Sequence, residues 1–179
     1  MKIRFTPDSS RDIDSGWERA WQAGRVDLAA LTATDLRYGF FDYPVDFTVD
    51  GHAFLAGTRT PLVDIMFTVG RSLHGLRTEG SAEIDFTENT YVIRLERAGD
   101  QVRFTASYGS PTPPPRCSLD AYTAEARSFV TGGVEYLERH HPHWPGTRRW
   151  PPCGNWRTPP RPDCPATPGA DRRTGPSPR

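Results

Sequence analysis

Lysine is nearly missing from this chain. Lys2 stands alone against 21 arginines, a bias that reads as a coding-composition signature rather than a physical requirement. Long apolar runs are missing too. None approaches the 18 residues that a spanning helix needs, so no membrane span is expected. Residues 1–8 contain no apolar stretch of the kind that marks a signal peptide. Cysteine is scarce and odd in number. Cys117, Cys153 and Cys164 make no disulfide framework, and a reducing cytoplasm is the expected compartment. The chain has no phosphate-binding loop, dinucleotide fingerprint, zinc-protease helix motif or nucleophile elbow.

What is present divides at Pro142. Residues 142–179 hold seven arginines and two acidic residues among many prolines, too few aliphatic side chains to build a core. Residues 1–141 hold 15 basic and 20 acidic residues, enough chain for one sizeable core. The formal net charge of zero therefore hides a negative body and a positive tail. Two regions are expected: a compact acidic α+β domain over 1–141 and a Pro/Arg-rich, disordered tail over 142–179.

Local patterns predict the elements of the domain. Ile3 and Phe5 alternate with polar neighbours and suit a short strand. Trp17 and Trp21 share a face if 16–22 is helical, with Gly24 ending that helix. In residues 41–50 the odd positions are apolar (Phe41, Tyr43, Val45, Phe47, Val49). The even ones are Asp42, Pro44, Asp46, Thr48 and Asp50, so the segment reads as a strand with one buried face. Asp50-Gly51 is a two-residue hairpin turn that would pair Val49 with His52, Phe47 with Phe54 and Val45 with Ala56. Pro44 lacks an N–H and suggests an edge strand.

Thr60-Pro61 reads as a helix cap followed by proline at the first helical position. Leu62, Ile65, Met66, Val69, Leu73 and Leu76 then form one stripe, with Gly75 or Gly80 ending the helix. Alternation at 82–86, 91–96 and 102–108 predicts a three-stranded meander. Residues 110–116, with four prolines, read as a rigid loop. Ser118 caps a helix running to about His141, and Gly132-Gly133 marks a kink or a close contact within it. The expected architecture is α+β: a curled antiparallel sheet, made of the hairpin and the meander, with two helices on one face.

Candidate chemistry is sparse. Asp42, Asp46 and Asp50 share a strand face at spacings of four, which puts them too far apart for a single ion to bridge. A solvated face and an acidic docking face remain the two readings. Glu83 and Asp85 share an outer face with Arg94, Glu96 and Arg103, where cross-strand ion pairing accounts for them without catalysis. His140, His141 and His143, with Cys153 and Cys164, are the only metal-type cluster, but no paired-cysteine spacing supports zinc. Histidines at a helix C-terminus also suit the negative end of its dipole. No cofactor is expected. Cys117 precedes a helix N-terminus, which would lower its pKa. In the tail, Trp144, Trp150 and Trp156 interleave with Arg148, Arg149 and Arg157, a pattern that suits single-stranded nucleic acid or, through its prolines, an aromatic groove.

The hairpin, the helix, the meander, the closing helix and the acidic strand together resemble the small single-domain immunity proteins of bacterial toxin systems. They are equally similar to uncharacterised actinobacterial domains, a resemblance that implies no particular role. The resemblance covers roughly residues 36–141 and lies in architecture and charge. It implies a non-enzymatic protein whose acidic surface binds a basic partner through Asp42, Asp46, Asp50, Glu83 and Asp85. The alternatives are a nucleic-acid-associated protein acting through its tail and a small metal protein acting through its His/Cys cluster.

Overall fold

The computed structural model describes residues 1–7, 19–20, 23–27, 37, 40–86 and 90–140. The expected helix at 16–22 and the tail lie wholly or largely outside these residues. The fold is α+β, and the described residues form two antiparallel sheets and two long helices.

The first sheet has the order β1-β2-β3, formed by β1 (Lys2–Phe5), β2 (Asp42–Val49) and β3 (His52–Pro61). In β2 the side chains at 43, 45, 47 and 49 are buried and those at 42 and 46 exposed, as the alternation predicts. Asp50 and Gly51 take φ of 48° and 77°, the paired left-handed conformations that a type I′ hairpin turn requires.

The expected register holds only beside that turn. Val49 pairs with His52, but Phe47 pairs with Leu55 and Val45 with Thr58, because β3 carries extra residues at two irregularities. The first lets both Phe54 and Leu55 reach the core. The Phe47 and Phe54 rings still meet edge to face, 6.0 Å apart. Pro44 is also not on an edge strand, since β2 is central in its sheet. Its carbonyl accepts from Thr6 N at 2.9 Å, and β1 ends at Phe5 opposite Val45. The missing N–H thus falls at the last rung of the ladder, where only the Pro44 carbonyl is engaged.

Helix α1 (Leu62–Thr78) follows directly. Thr60 is not its cap. Thr60 is buried within β3, Pro61 occupies the cap position without a side-chain bond, and Leu62 N donates to Phe41 O at 2.9 Å. Of the predicted stripe, Leu62, Ile65, Met66, Val69 and Leu76 are buried and Leu73 is partly so. The helix stops before Gly80 rather than at Gly75. A Cβ on Gly75 would lie 2.7 Å from Ser81 O, so that glycine serves a close approach.

The second sheet has the order β4-β5-β6-β7. Its strands are β4 (Ser81–Asp85), β5 (Val92–Ala98), β6 (Gln101–Ala106) and β7 (Arg116–Ser118). The meander is as expected. β7 is not, because its three residues follow the prolines that suggest a loop. A single curled sheet is therefore corrected to two sheets of three and four strands.

Helix α2 (Leu119–His140) begins where Ser118 Oγ accepts from Ala121 N at 3.2 Å, the predicted cap. A Cβ on Gly133 would run into Met66 Sδ, whereas Gly132 faces open space. The glycine pair thus marks a tight crossing of α2 on α1. Inside, Phe104 of β6 lies about equally far from Phe47, Phe54 and Tyr122, with ring centroids 6.1, 6.1 and 5.7 Å away. One side chain so joins both sheets and α2 in a shared core. Ser72 of α1 and Tyr122 of α2 satisfy each other's buried hydroxyls.

Candidate functional site

The exposed carboxylates that the sequence singles out sit in two different sheets. Asp42, Asp46 and Asp50 belong to β2 and its turn, Glu83 and Asp85 to β4. No strand pairing joins the two groups among the described residues.

Their engagements differ. Asp46 Oδ1 accepts from Gly57 N at 2.8 Å, across the second irregularity of β3. Gly57 has φ 61°, so the carboxylate fastens a backbone that only glycine adopts without strain. Asp42 accepts from Arg59 Nε at 3.3 Å, and the same guanidinium donates to Asp42 O at 2.6 Å. Asp50 sits at the hairpin tip. Glu83 is directly opposite Arg94 and pairs with it at 3.0 Å. Glu96 is opposite Arg103, yet the two form no ion pair among the described residues. Asp85 is exposed at the end of β4.

The acidic excess traces to a few named positions. The described residues hold 14 acidic and 14 basic side chains. The negative excess of residues 1–141 comes from Asp8, Asp12, Asp14, Glu18, Asp35 and Glu88 against Arg11, all outside those residues.

One buried carboxylate is not apparent from the sequence pattern. Asp64, in the first turn of α1, is only 3% exposed. Arg37 donates to its Oδ1 through Nε at 2.9 Å and lies over the Phe67 ring at 4.0 Å. The signal was an aspartate at a position facing the core, directly beside the apolar stripe. This pair fastens the chain before β2 to the start of α1.

Among the metal-type residues only His140 is described. It stacks on Tyr136 with ring centroids 4.5 Å apart, and no group of three metal-type side chains converges among the described residues. His141, His143, Cys153 and Cys164 lie outside them. Cys117 does precede the N-terminus of α2, with β7 leading into it, but burial pushes its thiol pKa up rather than down. His52 packs edge-on against Phe54 at 4.8 Å, and His74 is exposed. Among the described helices, none is long and apolar enough to cross a membrane. The chain matches no protein family, no curated protein and no solved structure.

Proposed function

We propose that this chain is a non-enzymatic protein-binding domain, immunity-like in its use of an acidic surface against a basic partner. Its working surface in this reading is the outer face of the β2–β3 hairpin. The observation that supports it is the placement of Asp42, Asp46 and Asp50 along one solvent face, ending at an exposed turn between paired strands. Asp46 holds the bulge and Asp42 pairs with Arg59, so of the three Asp50, at the hairpin tip, has the most charge to offer. Carboxylates arranged this way steer encounter with a basic surface more than they hold it, and salt screens them.

The test is capture from an extract of the source organism, using the full chain as bait at low and high salt. The Asp42→Asn/Asp50→Asn double variant is the second bait. A discrete protein taken by the wild type at low salt and lost with either change supports the reading. Equal capture by both baits at every salt concentration refutes it.

A further inference from the structure

One end of the second sheet carries a column of three aromatic rings. Phe86 follows β4, Tyr91 precedes β5 and Tyr108 lies just past β6. Tyr91 stacks on Phe86 with ring centroids 6.2 Å apart, and Tyr108 meets Tyr91 edge to face at 5.0 Å. The column is graded from inside to outside: Phe86 is buried, Tyr91 partly buried and Tyr108 59% exposed. No other large apolar side chain is exposed among the described residues.

The backbone on either side of Tyr108 is held. Ser107 N donates to Val92 O at 2.9 Å. Ser107 Oγ accepts from Val92 N and donates to Thr90 O, each at 3.2 Å. Ser110 Oγ engages both the N–H and the carbonyl of Ala106. An exposed ring already held in place loses little freedom when something binds it. The two tyrosine rings are inclined at 61°, so the face of one and the edge of the other enclose a corner. Burial, and then the nearness of Tyr108, push the Tyr91 phenol pKa up, which keeps its hydroxyl a proton donor.

The same chain carries a segment whose pattern suits that corner. Pro159, Pro162, Pro165 and Pro168, outside the described residues, recur every three residues. A polyproline II helix has three residues per turn, so in that conformation the four prolines share one ridge, about 9 Å apart. Such segments dock on aromatic side chains because they are extended beforehand and have little entropy to lose. Their carbonyls make no internal hydrogen bonds and accept from tyrosine hydroxyls. We infer that the Tyr91–Tyr108 corner is the docking site for the proline ridge at 159–168 of this same chain. Reach does not limit the contact. Pro159 is 19 residues beyond His140, the end of α2, and a chain of that length extends to roughly 60 Å. A folded domain of this size has a radius of gyration of about 14 Å. Tethering also holds the segment at roughly millimolar effective concentration, which fills a site of modest affinity.

The experiment compares amide spectra of the isotope-labelled full chain with those of its Pro162→Ala/Pro165→Ala variant, each at two protein concentrations. The expected result is a set of shift changes at Tyr91, Ser107 and Tyr108 that does not depend on concentration and leaves the β2–β3 hairpin unmoved. In a Tyr108→Ala background the same proline replacements should move Tyr91 and Ser107 several-fold less. That variant loses an exposed ring, so the fold should survive it. Unmoved amides at Tyr91, Ser107 and Tyr108 overturn the inference, as do undiminished changes in the Tyr108→Ala background. Changes that grow with concentration overturn the assignment to the same chain in favour of a second copy.

Discussion

On the outer face of the three-stranded sheet, Asp46 serves the backbone, reaching across a bulge to Gly57 N. On the outer face of the four-stranded sheet, Glu83 serves a side chain, pairing with Arg94 in a regular ladder. Both are exposed carboxylates on alternating strands, and sequence alone gives them the same description. The difference lies in the partner strand. β3 carries extra residues that need fastening, whereas β5 matches β4 residue for residue. A carboxylate beside an irregular backbone becomes part of the fold, and one beside a regular ladder remains a solvent-screened pair.

The largest expected effect cuts across that contrast by removing what the sheets share. Phe104→Ala takes away the ring that meets Phe47, Phe54 and Tyr122. It should cost about 3–5 kcal/mol in chemical denaturation. A loss below about 1 kcal/mol would mean that the two sheets do not depend on a common core.

The glycine pair in α2 offers a second comparison, with opposite signs. Gly133→Ala forces a methyl against Met66 Sδ and should destabilise by about 1–3 kcal/mol. Gly132→Ala meets open space and should stabilise by about 0.5–1 kcal/mol through helix propensity. Equal effects at the two sites would contradict the packed crossing.

The carboxylates themselves come next. Asp46→Ala should cost about 1 kcal/mol, as expected for a lost backbone bond at a bulge. Glu83→Gln should cost no more than about 0.5 kcal/mol, as for exposed pairs generally. Thermal denaturation at two salt concentrations separates them, since only the Glu83 effect should vanish with salt. The smallest effect concerns Cys117. Its raised pKa predicts alkylation at pH 8 more slowly than a free cysteine, read by mass spectrometry after timed quenching. Faster modification would contradict its partial burial.

These contrasts also show what was legible in the sequence. Period-two alternation located β2 and the meander, because each buries one face and polar residues mark the other. Three- and four-residue spacing located α1 and α2, and Ser118 announced the cap of α2. The register of β3 was not legible, since Phe54 and Leu55 both suit a core and nothing local says that the strand bulges to admit both. β7 was hidden behind four prolines. The roles of Asp42, Asp46 and Asp50 diverge only once β3 is placed beside them, so spacing alone rated them alike.

The most direct test of the hairpin as a working surface is the association rate of the full chain with the protein it captures. Wild type and the Asp42→Asn/Asp50→Asn variant would be compared at low and physiological salt. The variant should associate several-fold more slowly at low salt, with the gap closing as salt rises. Equal rates at low salt would contradict the claim that the hairpin carboxylates are the working surface.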